Sequence, residues 1–547
     1  MTQVAIVPLG GVAEIGKNCT AVIQGDDMVL VDCGISFPTN EEPGVDVVIP
    51  DFTFIEENID KLRGVLITHA HEDHIGALPY FLKRFNVPVF ATEFTHAMIR
   101  RKVDEKLDVR ELHLVTIKMG DVIDLGQLKA EFIRVTHSIP ETSAISVHTA
   151  HGHVLFTGDF KFDLTPVDGK FTDYKRLTEL GEEGVVCLLS DSTNVDRPGW
   201  GPSESSVTSG LRRAMASAEG RILVTMFSSN IHRMQQVFDV AAEQGRRVAI
   251  AGRRMDQTIE ICLRLGYIKM PRDIRVRLED ISKFDAKEIV ILITGSQAET
   301  TSALVQMSKA EYGRLKVQHG DTILYSARPI PGNEGPIWRM INRLYKLGAN
   351  VVYEHEAGIH ASGHGYQEEI KMMLNLTRPF YVAPVHGEPR HQKHYFAIAK
   401  ALGHPEHRMF TMEAGVPLVI DEERAYLSET VAHGRMLVDR AGNVGISAAV
   451  MRDRNLIAAE GAVYVAIPLN LKAGTLKGLP VISAVGYSGH QRDIDALPDI
   501  VNDALQNLDV AERKDSTIVE HAAGDVVRKY LQRSAQLRPV VLPVIID

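Results

Sequence analysis

The sequence predicts an α/β protein of several domains, and three observations carry that. Short β-type apolar runs dominate residues 1–200, strand and helix periods alternate from about 204, and a smaller α/β pattern closes the chain after about 461. At 547 residues the chain is too long for one core, so two to four domains are expected.

In the first part, strands are expected at Val4–Pro8, Thr20–Ile23, Met28–Asp32, Val65–Thr68, Pro88–Ala91, Leu128–Thr136, Ala144–His148, His153–Thr157 and Val185–Ser190. Gly10-Gly11, Gly16 and Gly34 mark tight turns near strand ends. The pattern is that of layered sheets rather than simple βαβ alternation. It covers 1–205.

From 206 to 355 the rhythm changes. Helices are expected at Ser206–Ala218, Ile231–Gln244, 254–266 and 335–347, and strands at Arg221–Met226, Arg247–Ala251, 289–294, 322–326 and 350–354. That alternation predicts a parallel, doubly wound module. Metal-type residues lie on both sides of it, so it reads as an insertion. The first domain resumes over 356–425, with His360, His364 and His386, a strand at Phe380–Val385 and a helix at His391–Leu402. Residues 426–460 read as a linker with short β pieces. The last domain, 461–547, is a small α/β unit. It carries a strand at Val463–Pro468, helices near Ile494–Leu508 and Ser516–Gln532, and a final apolar run at Val540–Ile546.

No apolar run reaches the roughly 18 residues of a membrane span, and the N-terminus enters a strand without a basic, cleavable leader. Cys19, Cys33, Cys187 and Cys262 form no CxxC pair and read as buried thiols in a reducing compartment. A cytoplasmic protein is expected. The net charge of −10 hides an asymmetry. Residues 206–350 hold 22 Lys and Arg against 14 Asp and Glu, a surplus of eight, which leaves −18 on the rest. A basic module in an acidic chain suits a polyanionic substrate.

The chemistry centres on Thr68-His69-Ala70-His71-Glu72-Asp73-His74, a loop between the apolar run Gly64–Ile67 and a helix expected from Ile75. A strand end can aim several side chains at one point. One ion cannot comfortably take His69, His71, Asp73 and His74 from so short a loop, but two can. Further ligands are available at other strand ends: His137 and Asp159, the latter after Gly158 and suited to bridge two ions. Asp32, at a fourth strand end, would orient a ligand or the loop from behind.

The order Asp32, His69-x-His71-x-Asp73-His74, His137, Asp159 resembles the metallo-β-lactamase superfamily. Ser190–Asn194, the basic insertion, Ser362-Gly363-His364 and Pro384–Glu388 are similar to its β-CASP subgroup of nucleases. Gly10–Asn18, Gly44–Asp51 and Ser229-Asn230-Ile231-His232-Arg233 narrow the resemblance to the bacterial ribonuclease J family. The resemblance implies an αββα sandwich with an inserted β-CASP α/β domain. It implies two zinc ions per subunit, one on His69, His71, His137 and Asp159, the other on Asp73, His74, Asp159 and His386. Magnesium or manganese would support activity. A structural calcium would sit at Gly44, Asp46 and Asp439.

The same resemblance makes Asp191 and His364 catalytic. It places Ser229, Asn230, His232, Arg233, His360, Ala361, Ser362, Gly363 and His364 against RNA. The expected activity is hydrolysis of single-stranded RNA, both internally and 5′-to-3′ from a 5′-monophosphate end, on messenger RNA and ribosomal precursors, by a homodimer or homotetramer. If Asp191 donates a proton to the departing 3′ oxygen, its pKa must be raised by burial or neighbouring carboxylates. Arg328 and Arg253-Arg254 are candidates for an RNA path, and Trp200 and Phe227 for base stacking. The chain departs from the family at Pro140-Glu141-Thr142, where the family has Pro-Asp-Ser, and at Ala484–Gly489, where it often has an Arg-Gly-Phe turn. The rival readings are a DNA-processing β-CASP nuclease or small-ester hydrolase on the same core, and a non-enzymatic RNA-binding subunit.

Overall fold

The computed structural model describes residues 3–39, 41–103, 112–313, 315–330, 332–353 and 357–546. The expected strand end at 354 and the domain boundary at 355/356 lie outside them. The chain forms two compact units, 1–36 with 49–435 and 37–48 with 436–547.

The first unit contains two large sheets. One runs, edge to edge, Ala425–Leu427, Leu418–Ile420, Val4–Gly10, Cys19–Gln24, Asp27–Val31, Leu62–Leu66, Val89–Ala91 and Leu114–Thr116. The other runs Tyr381–Val385, Val185–Asp191, Gly152–Phe156, Ser143–Thr149, Leu128–Arg134 and Val122–Leu125. Strand side chains alternate between faces, and the inward rows meet in one core. Val4, Ile6, Val29 and Leu66 come from the first sheet; Phe132, Ile145, Val147, Val154 and Leu189 come from the second. Helices Tyr174–Glu183, Gln367–Thr377 and Pro389–Ala401 cover the second sheet's outer face through Leu177, Leu180, Ile370, Met373, Tyr395 and Ile398.

The insertion builds its own sheet, ordered Arg247–Ala251, Ile289–Ile293, Ile222–Thr225, Thr322–Tyr325 and Asn350–Val352. Every pairing in it is parallel. All five residues of Ile289–Ile293 are buried, as a central parallel strand covered on both faces requires. The insertion leaves the second sheet after Val185–Asp191 and returns to its parallel neighbour Tyr381–Val385, so that Asp191 lies opposite Val385.

In the second unit, Ala462–Asn470 pairs with Thr475–Leu476, Val481–Val485 and Val540–Ile546. Val463, Val465, Ile467 and Leu469 project from one face of that strand. They bury against Leu497, Val501 and Leu505 of helix Leu497–Gln506 and Val519, Ala523, Val527 and Leu531 of helix Ser516–Ser534.

Three stretches fall otherwise than the sequence pattern suggested. Residues 37–48, read as part of the first domain, join the second unit, and Val45–Pro50 pairs with Arg435–Asp439. Residues 426–460 are no plain linker, since they contain that strand and helix Ala448–Glu460. The expected helix after the metal loop is split by Gly76-Ala77 into Glu72–Ile75 and Leu78–Leu82. All four cysteines are free and buried, and burial pushes the Cys187 and Cys262 thiols up to about 12. Among the described residues no helix is long and apolar enough to cross a membrane.

Candidate metal centre

The centre lies at the ends of five strands. Leu62–Leu66 delivers the loop with His69, His71, Asp73 and His74. Leu128–Arg134 delivers His137, Gly152–Phe156 delivers Asp159, Val185–Asp191 delivers Asp191, and Tyr381–Val385 delivers His386. Their side chains form three adjoining groups: His69, His71, His137 and Asp159; Asp73, His74, Asp159 and His386; and Asp191, His364 and His386.

Four of the imidazoles have Nδ1 fixed by a partner. Thr68 Oγ1 donates to Asp32 Oδ2 at 2.8 Å, so it accepts from His69 Nδ1 at 3.0 Å and leaves His69 Nε2 unprotonated. His137 Nδ1 donates to the Gly363 carbonyl at 2.7 Å. His74 Nδ1 donates to Asp32 Oδ2 at 2.7 Å. Thr193 Oγ1 donates to the His386 carbonyl at 2.9 Å and accepts from His386 Nδ1 at 2.6 Å. The Nε2 atoms of these four rings therefore point inward. His71 Nδ1 lies 3.0 Å from His69 Nε2 and 3.1 Å from His137 Nε2, and these two stand 3.5 and 3.6 Å from Asp159 Oδ2. Tetrahedral ligands on bonds of about 2.0–2.1 Å stand roughly 3.3 Å apart, so three lone pairs and a carboxylate at these separations suit a cation.

The other Asp159 oxygen serves the second group. Asp159 Oδ1 is 3.3 Å from His74 Nε2, and Asp73 Oδ2 is 3.7 Å from His74 Nε2 and 2.9 Å from His386 Nε2. Asp159 thus offers one oxygen to each group. Asn18 Nδ2 adds contacts at 3.0 Å to His74 Nε2 and 3.1 Å to the Asp73 carbonyl.

Electrostatics divide the imidazoles. Burial brings His69 down to about 4 and His71 to about 3, and holds His137 well below its usual value, so these three are neutral donors at pH 7. Burial would also lower His74 and His386, but Asp159 and its neighbouring carboxylates hold both well above their usual value. Burial would raise the Asp73 and Asp159 carboxyls; His74 and His386 keep both below the usual range. The second group thus holds carboxylates that demand positive charge. Borderline nitrogen and hard oxygen donors together fit a divalent ion such as zinc, and this chain has the side chains to bind metal.

Asp32 lies behind the loop, against Thr68 and His74. Besides His74, its Oδ1 accepts from the Thr68 amide at 2.8 Å. Asp32 and His386 both take positive φ, +60° and +52°. Non-glycine residues held in that region concentrate at functional sites. Asp191 departs from the expectation of a raised pKa. Burial pushes its carboxyl up, but His364 at 2.7 Å, helped by His386, holds it below the usual range, and the Thr193 amide donates to its Oδ1 at 2.9 Å. The carboxylate is an acceptor here, and burial notwithstanding, Asp191 and Asp159 raise His364.

The expected RNA-contacting residues separate. Ser229, His232, His360, Ser362, Gly363 and His364 are half-buried around the centre and the insertion. Asn230 is buried and caps helix Ile231–Glu243 by accepting from the Arg233 amide. Ala361 is buried, and Arg233 is 0% exposed with its guanidinium enclosed by protein. The sequence suggested contact with RNA for both residues; burial denies it to both side chains. Arg253 and Arg254 are exposed and Arg328 is half-buried, Trp200 is half exposed, and Phe227 packs on the core of the insertion.

The substituted Glu141 has φ +58° and accepts from the Phe94 amide at the start of helix Glu93–Val103. Gly44 and Asp46 are exposed, and Asp439 spends both oxygens on its own turn, with Ala441 and Asn443. Residue-by-residue reading missed Thr68 and Thr193 as holders of imidazoles. Their only signal was position: each stands within a residue or two of a strand-end ligand.

Four family profiles match. "Metallo-beta-lactamase superfamily" matches 13–213, and "Ribonuclease J, beta-CASP domain" matches 219–344. "Zn-dependent metallo-hydrolase RNA specificity domain" matches 348–407, and "Ribonuclease J C-terminal domain" matches 449–547. Ribonuclease J of a Synechocystis strain is 41% identical over 483 residues, 88% of this chain and 75% of the relative. Ribonuclease J 1 of Streptococcus pyogenes is 36% identical over 547 residues, 100% of this chain and 98% of the relative. Ribonuclease J of Thermus thermophilus is 36% identical over 552 residues, 100% and 95%. A crystal structure of an Enterococcus faecalis protein of unknown function shares the fold over 76% of this chain and 100% of its own, at TM-score 0.53 and 16% identity. Full-length similarity to these relatives, over a site whose ligand groups are complete, places the chain plainly: it belongs to the ribonuclease J family of the metallo-β-lactamase superfamily.

Proposed function

We propose that the chain is a two-zinc ribonuclease that hydrolyses phosphodiester bonds in single-stranded RNA. The observation that carries this is Asp159, one oxygen on each of two ligand groups, beside the Asp191–His364 pair. One ion would be held by His69, His71, His137 and Asp159, the other by Asp73, His74, Asp159 and His386. Such ions supply Lewis acidity and a water nucleophile near neutral pH.

The chain's own groups do the rest. Asp32, Thr68 and Thr193 hold the His74, His69 and His386 rings by Nδ1 and so turn their Nε2 atoms toward the centre. Asp191 holds His364 by Nδ1, which leaves His364 Nε2 beside the ligand groups, 4.0 Å from Asp159 Oδ2. From there it can hand a proton to the departing 3′ oxygen or steady negative charge on the phosphate. In this reading Ser229, His232, His360 and Ser362, all half-buried, bind the RNA.

The reading extends to 5′-to-3′ removal of nucleotides from 5′-monophosphate ends as well as internal cleavage. Messenger RNA and ribosomal precursors are the substrates, in the cytoplasm, by a homodimer or homotetramer. The relatives' names and the profile described as an RNA specificity domain support it. Incubation with matched 5′-monophosphate RNA, 5′-triphosphate RNA and single-stranded DNA, with and without chelator, tests it. RNA should be degraded fastest from the monophosphate, and chelator should stop it. Equal degradation of DNA, or activity that survives metal removal, refutes the proposal.

A further inference from the structure

The segment Ile359–Gly365 carries His364 from the insertion to the metal centre, and separate elements pin it almost residue by residue. Ser326 Oγ donates to the Ile359 carbonyl. Asn194 Nδ2 donates to Ser362 Oγ at 2.8 Å and to the His364 carbonyl at 3.1 Å. His137 Nδ1 donates to the Gly363 carbonyl at 2.7 Å, and the Gly365 amide donates to the Phe160 carbonyl at 2.7 Å.

Between these pins, His360 and Ala361 are held by Arg233. Its Nη2 donates to the Ala361 carbonyl at 3.0 Å, and its Nη1 donates to His360 Nδ1 at 2.9 Å and to the Ser326 carbonyl at 3.0 Å. Glu204, itself buried, takes Nε at 2.9 Å and Nη2 at 2.8 Å. All five guanidinium protons are spent inside the protein. Glu204 is tied to the other flank of the centre. Its amide donates to Asp163 Oδ2 at 2.8 Å, and the same oxygen meets Lys161 Nζ at 3.0 Å, two residues past Asp159.

We propose that Arg233, seated on Glu204, is a positioning residue that fixes where the 359–365 segment presents His364 to Asp191 and Asp159, and that it does not touch RNA. A buried ion pair is a poor source of stability, so a bidentate one at this joint points to geometry. Displacing a catalytic group by about 1 Å can cost roughly a hundredfold in rate. The inference rests on the hydrolase reading above.

Arg233→Lys keeps the charge but has one nitrogen for the work of three. It should lower kcat roughly tenfold to a hundredfold and change KM for RNA by less than that, while bound metal and the melting transition change little. Glu204→Gln should lower kcat in the same way, by less. On a His364→Ala background, either change should cost under about threefold more, because the group being positioned is gone. A tenfold rise in KM with kcat unchanged overturns the inference, as does a full multiplicative loss on the His364→Ala background. If Arg233→Lys loses its melting transition, Glu204→Gln decides by the same two criteria. The unaltered protein is the control: its failure to cleave RNA defeats the functional reading, whereas an active parent with an equally active Arg233→Lys defeats only this inference.

Discussion

Asp32→Asn is the sharpest perturbation of the metal centre, because it changes charge and donor count at constant volume. Asp32 is buried and accepts from His74 Nδ1 at 2.7 Å, from the Thr68 amide at 2.8 Å and from Thr68 Oγ1 at 2.8 Å. An amide offers one oxygen where the carboxylate offers two. If its NH2 turns to Thr68, two donors face each other in a buried site, at a cost of about 1–3 kcal/mol. If it turns to His74, the imidazole must accept at Nδ1, and the proton moves to Nε2, the nitrogen aimed at Asp159. Either way a ligand is compromised. The backbone is not the cause, because Asn tolerates the φ of +60° as well as Asp does. Loss of such an outer partner costs about 10–100-fold in metal affinity, which is roughly 1.4–2.8 kcal/mol and agrees with the hydrogen-bond estimate. The assay is metal competition against a chromogenic chelator, with RNA cleavage followed at saturating metal. Affinity should fall tenfold or more, and excess metal should recover part of the activity. An affinity within threefold of the unaltered protein refutes the tautomer argument.

His74→Ala should abolish turnover while RNA affinity, measured by filter binding, stays within about threefold; normal turnover would mean that the second ligand group is misassigned. Gly34→Ala would put a Cβ 1.5 Å from the Asp73 carbonyl oxygen, so the metal loop must shift. It should weaken metal binding at least tenfold and destabilise by about 1–3 kcal/mol, and unaltered metal affinity would show that the loop yields without cost. Far from the site, burial would raise Glu131, but the His148 imidazole 3.5 Å away and hydrogen bonds from Arg176 at 2.7 and 2.9 Å bring it down to about 2. A depressed folded-state value contributes stability that is whole above about pH 4.5 and lost as the pH falls toward 2, here on the order of 2–3 kcal/mol. Glu131→Gln should flatten the acid decline of Tm across that window, and an unchanged slope would remove this pair from the account of acid stability.

The residues that meet at the centre were legible because a metal site needs donors at neighbouring strand ends, and strand ends can be read from apolar runs followed by His or Asp. The insertion was legible for a similar reason: buried parallel strands such as Ile289–Ile293 are unbroken apolar runs. Two kinds of feature were not. Pairing of Val45–Pro50 with Arg435–Asp439 joins segments nearly four hundred residues apart, and no local pattern records such a contact. Helix Ala448–Glu460 has no well-formed apolar stripe, with Met451 its only buried residue, so periodicity could not find it. Burial was the other blind spot. A motif arginine looks like a phosphate contact until its surroundings enclose it, as they do Arg233, and the proton affinity of Asp191 depends on a histidine 173 residues away.

The parallel pairing of Val185–Asp191 with Tyr381–Val385 also fixes when the enzyme becomes competent. Protein synthesis runs from the N-terminus at about 5–20 residues per second. His74 is therefore made roughly 15–60 s before His386, and the whole basic module emerges between them. Once Asp159 is made, and until His386 follows, the growing chain holds one complete ligand group and a second that lacks His386. A destroyer of RNA is born attached to an RNA, and the order of its strands delays the last part of its cutting site until most of the message has been read.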